Sequence, residues 1–317
     1  MKKRFNSRKK QFFKLKFILF ITVVLLSFGS SFKFLYKRFK SQVKDKDIIN
    51  YLLYGASNNN YEDFYNLNST EFLVKYSLGL SLNKINGNEI NQDLQGDYIE
   101  EPNTDKMDKP IVYIYNTHQT EGYNKNIVTA YNITPSVMLA SYMLRERLND
   151  LGIPTIVETT NIKEVLNNHN WIYKDSYKAS RILLENAYQN NDTLKLFIDI
   201  HRDSSVYEKT TYQKDNNSYA KVLFVVGLEY NGYDKNLNNA TKLNDILNHD
   251  FPGISRGVLK KGGKGVNGIY NQDFKNNVLL IEIGGQYNSI EEVKNTIDPL
   301  SKAIFSYLKD DYNEEET

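Results

Sequence analysis

The sequence predicts an α/β fold, a mostly parallel central sheet flanked by helices on both faces, and two observations carry that prediction. From Lys109 onward, short runs rich in β-branched and aromatic residues alternate with longer stretches of helical periodicity. Several of the runs are apolar at consecutive positions, as strands covered on both faces are, and helices separate them. In order, IVYIY (111–115) reads as the first strand, and a helix follows over 135–149. PTIVE (154–158) is the second strand, opened by a proline at its edge, and 175–190 is the second helix. LKLFIDI (194–200) and AKVLFVVG (220–227) are the third and fourth strands, and a helix over 235–248 comes next. VLLIEIG (278–284) is the last strand, and the final helix aligns Val293, Ile297, Leu300, Ile304 and Leu308 on one stripe.

Composition narrows the classes of function. The chain has 317 residues, 40 basic and 38 acidic side chains, 40% apolar residues, four His and no Cys. Without cysteine there is no disulfide scaffold, thiolate zinc site, iron–sulfur cluster or cysteine nucleophile, so any metal must be held by His, carboxylate or water. The net charge of +2 averages two unlike pieces. Residues 1–40 carry twelve Lys or Arg and no acid, which leaves the rest of the chain at 28 basic against 38 acidic. Nucleic-acid binding is therefore not expected, because the excess of positive charge belongs to the leader.

That leader has the form of a membrane anchor. A basic segment at 1–16 precedes the apolar run Phe17–Phe32, which reaches Tyr36 if Lys33 snorkels outward, and Lys37, Arg38 and Lys40 follow. Eight positive charges before the run place the N-terminus in the cytoplasm and send the body across, giving a single-pass protein of the cell membrane. A cleaved signal peptide competes, since Ser27 and Gly29 put small residues where a peptidase cuts; the long basic flank and the second basic cluster favour an uncleaved anchor at 17–36. In both cases the acidic body works outside the cytoplasm. Residues 37–108, polar and Asn-rich with helix-like stretches at 48–54 and 72–82, read as a juxtamembrane spacer that becomes the domain edge. The catalytic domain is expected over 109–310, and 311–317 as a frayed acidic tail.

Ligands of open α/β sheets bind beyond the carboxyl ends of the strands. After IVYIY come Asn116-Thr117-His118-Gln119-Thr120-Glu121; after LKLFIDI come His201-Arg202-Asp203; and Glu282 stands near the end of the last strand. His118 and Glu121, three apart at a turn, together with His201, form a candidate zinc site of two imidazoles and a carboxylate. Catalytic zinc keeps three protein ligands and one open position, which leaves Glu282 as a candidate general base. Such a site hydrolyses amides or esters. An isolated H-x-x-E arises often by chance, and His201 alone fits a hydrogen-bonded strand end. Glu282 is harder to dismiss, because an ionisable group in an apolar strand is costly unless paired or functional. Arg202 and Asp203 are candidates for orienting a ligand, for binding substrate carboxylates, or for a plain salt bridge. Gly284 and Gly285 fit either close approach by a ligand or an ordinary turn.

VYIYNTHQTEGY (112–123), YNITPSVMLASYMLRERL (131–148), FIDIHRDS (197–204), HDFPGISRGVL (249–259), YNQDF (270–274) and LLIEIGGQYNSIEEVKNT (279–296), in this order, resemble the stage II sporulation protein P family. The resemblance implies an exported, membrane-anchored, zinc-dependent N-acetylmuramoyl-L-alanine amidase with endopeptidase activity on peptide cross-links, related in fold to zinc cell-wall amidases. Its setting would be peptidoglycan remodelling as the mother-cell membrane engulfs the forespore. Its partners would be the sporulation D protein, a lytic transglycosylase, and the polytopic sporulation M protein. By motif, His118, Glu121 and His201 look like ligands of one zinc ion and Glu282 the catalytic carboxylate. Many members carry a second His two positions before His118, where this chain has Asn116, which is left to hydrogen-bond substrate; Asn271 and Gln272, just before the last strand, are expected at the substrate. A non-catalytic peptidoglycan-binding scaffold is the alternative from another class, and a zinc carboxypeptidase or deacetylase on the same polymer a nearer one.

Overall fold

The computed structural model describes residues 93–100, 107–124 and 134–315, with side chains to 309. The expected anchor and the stretches at 48–54 and 72–82 lie outside the described residues. Among the described residues, no helix is long and apolar enough to cross a membrane.

The five expected strands and the four long helices form. β1 (Val112–Tyr115), β2 (Thr155–Val157), β3 (Leu196–Asp203), β6 (Val222–Gly227) and β8 (Val278–Gly285) match the apolar runs. α1 (Val137–Asp150), α3 (Ser176–Asn190), α5 (Tyr233–Asp250) and α6 (Ile290–Glu315) match the periodic stretches. The six-stranded sheet has the order β2-β1-β3-β8-β6-β7, where β7 (Ser255–Lys261) is an edge strand absent from the sequence reading. Only Val258 and Leu259 of SRGVLKK are apolar and none of the seven is fully buried, so no apolar run marks it. The short helices α2 (Ile162–Asn168) and α4 (Tyr207–Thr210), and the hairpin of β4 (Thr211–Lys214) and β5 (Asn217–Ala220), were also unmarked. Asp215 and Asn216, both at positive φ, make the two-residue turn of that hairpin.

The sheet is parallel at every pairing except β6–β8. The chain explains the exception. Between Asp203 and Val222 it spends its length on α4 and the hairpin, short of the crossover that a parallel return requires, so β6 starts where β3 ended and runs the other way. Ala220, expected in the fourth strand, belongs to the hairpin for the same reason.

One face of the sheet carries Tyr113, Tyr115, Phe197 and Val278, buried beneath Leu184 of α3. α1, α5 and α6 pack together over the other face. The predicted stripe of α6 is buried throughout, from Val293 to Leu308. A reciprocal capping box opens this helix: Glu292 N donates to Ser289 Oγ (3.2 Å), and Ser289 N donates to Glu292 Oε2 (2.9 Å). The helix backbone continues to Glu315, into the run expected to fray, because neither Gly nor Pro follows Pro299 to stop it. α1 is buried almost all round, since residues 93–100 lie across its outer side: Tyr142 Oη donates to Ile99 O (2.9 Å). This part of the 37–108 spacer is therefore joined to the domain.

Candidate active site

The two faces of β3 alternate, so Phe197, Asp199 and His201 stand in one column, and the apolar layer of that face turns polar towards its carboxyl end. The strand does not stop at Ile200 as expected. It runs through His201, Arg202 and Asp203, with a register shift between His201 and Asp203 that lets Asp203 pair with Gly285. His201 lies directly beside Glu282 of β8 in the parallel register. His118 follows β1 in a turn, and its ring centroid is 5.4 Å from that of His201, nearly perpendicular to it. Glu121 Oε2 is 3.3 Å from His201 Nδ1. The four side chains the sequence selected thus share one end of one sheet face. The turn that holds two of them does not lead straight into a helix; α1 begins at Val137, within the stretch expected to be helical.

Buried polar contacts fix this geometry. Thr117 donates to both oxygens of Asp199, from its amide (2.9 Å) and its hydroxyl (2.7 Å), which ties the His118 turn to β3. Asp199, fully buried, also sits 3.0 Å from His201 Nε2, in ion contact without the alignment of a hydrogen bond. The Ser180 hydroxyl is 2.8 Å from that of Thr117 and accepts from Asn271 Nδ2 (2.9 Å). A connected polar chain therefore runs from the YNQD turn to His201. Asp199 escaped the sequence reading, although the reasoning applied to Glu282, an acid in an apolar strand, would have found it.

The remaining candidates brace the site. Asn116 is buried, donating to Ile200 O (2.8 Å) and accepting from Ser141 Oγ (2.9 Å), so its carboxamide is committed to the interior. Arg202 donates from Nε to Gly122 O (3.1 Å) and from Nη2 to Asp93 Oδ1 (2.5 Å), while its amide donates to Glu121 Oε2 (3.0 Å). It locks the 93–94 segment and Glu121 in place. Asp203 accepts from Arg256 Nη1 at 2.5 Å, the salt-bridge alternative. Gln272 clamps β6, donating to Val225 O and accepting from Gly227 N, both at 2.8 Å. Asn271 reaches Tyr177 O (3.1 Å) besides Ser180. Tyr270 and Asn271 both hold positive φ, and these clamps keep Tyr270 against Tyr177, which in turn stacks on His201. Tyr173, 57% exposed, stacks on His118 with centroids 5.0 Å apart and forms an aromatic lip. Partial burial and the Glu121 charge push its hydroxyl up to about 12, so it stays a donor. His169 and His249 lie outside this site, at the end of α2 and in α5.

Gly284 and Gly285 are approached closely by the chain itself. Gly284 has φ +65°, and a Cβ there would meet Asn288 Oδ1 at 2.7 Å and Ala220 Cβ at 2.8 Å. Gly284→Ala is expected to cost about 2 kcal/mol from left-handed strain and overpacking, read as a lower urea midpoint with an unchanged m-value.

The charges are set by burial and by one another. Burial, with His201 beside it, lowers the His118 pKa, so this imidazole is neutral, and its Nδ1 is buried without a partner. Burial opposes ionisation of both His201 and Glu121, but their mutual attraction, with Asp199 acting on His201, wins: His201 is held well above the usual imidazole value and Glu121 below the usual carboxylate. Burial raises Glu282, with Lys261 opposing from 3.5 Å, and Glu282 Oε2 has no partner. Among the described residues, no three His, Asp or Glu side chains are already drawn into a cation cage. The donor set nevertheless suits zinc: a neutral imidazole with an orphaned nitrogen, a second imidazole backed by a carboxylate, and an ionised carboxylate beside it.

A family model described as stage II sporulation protein P matches residues 43–305. The stage II sporulation protein P of Bacillus subtilis (strain 168) is 37% identical over 193 residues, covering 59% of this chain and 48% of that protein. The chain therefore spans about half the length of the curated relative it matches. Among solved structures, a metallo-carboxypeptidase from Burkholderia cenocepacia superposes with a TM-score of 0.39 at 12% identity, covering 67% of this chain and 60% of that one. Cwp6 from Clostridium difficile gives 0.35 at 15% identity, covering 62% and 29%.

Proposed function

Because the chain belongs to the stage II sporulation protein P family, we propose that it is a membrane-anchored zinc hydrolase of peptidoglycan. It cleaves the N-acetylmuramoyl-L-alanine amide, and peptide cross-links as a second activity. The observation that carries this reading is the gathering of His118, Glu121, His201 and Glu282 at the carboxyl end of one sheet face. His118, Glu121 and His201 would hold one zinc ion, which would supply Lewis acidity to the scissile carbonyl and lower the pKa of a water. Glu282, with a raised pKa and an unpartnered oxygen, takes the proton of the attacking water and returns it to the leaving amine. Asp199 keeps the His201 ring oriented and Tyr173 stays protonated at the mouth. Cleavage takes place outside the cytoplasm at the engulfing mother-cell membrane, with the sporulation D and M proteins as partners.

The test is a digest of purified peptidoglycan with and without chelator. Stem peptides released from bare glycan, and lost on chelation, are the expected products; free terminal D-amino acids or acetate instead would mark a carboxypeptidase or a deacetylase. No product and no bound zinc would leave the scaffold reading. Asp199→Asn is expected to weaken zinc binding about 10–100-fold, measured by competition with a chromophoric chelator, because the ligand behind it loses its orienting charge.

A further inference from the structure

We infer that Lys261 forms a carboxylate-binding subsite that takes an anionic group of the peptide half of the substrate. The inference rests on the hydrolase reading above and names the substrate chemistry of the same site. Lys261 is the last residue of β7, the edge strand that the apolar pattern leaves unmarked, and reaches over the sheet face so that its Nζ lies 3.5 Å from Glu282 Oε1. At that separation it is in ion contact rather than a short hydrogen bond. Lys261 touches one oxygen of Glu282 only, and the second oxygen has no partner. The Lys261 side chain is about a third exposed, so it borders both the carboxylate and solvent.

Among the described residues, the three guanidiniums around the site are taken. Arg202 is held by Asp93 and two carbonyls, Arg256 by Asp203 at 2.5 Å, and Arg181 by Glu185 (2.6 Å) and Asp273 (2.8 Å). Each of these guanidiniums is committed to a partner within 3.1 Å or less, whereas Lys261 has one loose contact. Glu121 and Glu282 keep some exposure at this opening of the site, and an anionic group brought beside them needs a cation to receive it. Lys261 lies on the β7 side of Glu282, and the aromatic lip of Tyr173 on the far side, over His118. A substrate with an uncharged sugar and an anionic peptide joined by an amide is thereby given one orientation, its peptide towards β7.

The experiment uses the full chain in detergent and two stem peptides, one with free carboxylates and one with those carboxylates amidated. Calorimetry is expected to find that Lys261→Met weakens binding of the free-acid peptide about 10-fold or more, that Lys261→Arg restores most of it, and that neither change affects the amidated peptide. With muropeptides of the same two kinds, the loss is expected in KM for the free acid. Equal affinity of wild type and Lys261→Met for the free-acid peptide, with unchanged thermal melting, would overturn the subsite while leaving hydrolysis intact. A loss in kcat equal for both substrates would also overturn it, because Lys261 would then act only on Glu282. Lysine-dependent peptide binding by a chain that cleaves nothing would support the subsite and remove the hydrolase reading.

Discussion

Glu282→Gln is expected to lower peptidoglycan hydrolysis by about 10²–10⁴-fold while zinc stays bound at one equivalent. The amide keeps the size and position of the carboxylate beside His201 and loses its ability to take a proton. The fold should tolerate the change, since Glu282 Oε2 has no partner to lose and burial already disfavours the charge. Product release from labelled peptidoglycan and metal content of the same preparation check both halves. Zinc lost together with activity would make Glu282 a ligand and return the role of base to another carboxylate.

His201→Ala is expected to remove both zinc and activity, and to destabilise the metal-free chain by about 3 kcal/mol, because it leaves fully buried Asp199 without its cation. His118→Ala is expected to lose zinc with a smaller stability change, its ring being neutral and its Nδ1 unpartnered. The His201 penalty depends on pH in a determined direction. The folded pKa of His201 is raised above its ordinary 6.5, so its ion pairs contribute in full below that pH and fade as pH rises through the folded value. Glu121, lowered from 4.5, contributes above that value and loses its contribution as pH falls through its folded pKa. The stability gap between wild type and His201→Ala, both metal-free, should therefore be widest between about pH 4.5 and 6.5. Urea melts at pH 5.5 and at pH 9 measure it. Zinc must displace the His201 proton, so its affinity should rise with pH across the same imidazole titration.

How far the site was legible depended on how each residue announces itself. His118, His201 and Glu282 are rare or costly residue types at the ends of apolar strands, and such placements can be read one residue at a time. Asn116, Asn271 and Gln272 were expected at the substrate because polar side chains beside a site suggest contact. They are buried and bind backbone carbonyls, amides and hydroxyls on other elements. Their partners lie 25 to 94 residues away, beyond any local pattern. Lys261 gave no signal, because a lysine at the end of a polar edge strand resembles any solvated charge until the sheet brings it to Glu282.

By itself the sequence determined the features that nearest neighbours along the chain impose. The both-face burial of β3 and β8, the stripe of α6 and the absence of thiolate chemistry all come from periodicity or composition. Only the tertiary structure decided the direction of β6, the place of β7, and which polar groups meet. Strand order and register are set by pairings between distant segments, whose free energy depends on closing the chain around one core and not on the residues of either segment alone. The pairing of His201 with Glu282 is such a contact, and it is what turns a buried imidazole and a strand carboxylate into one site.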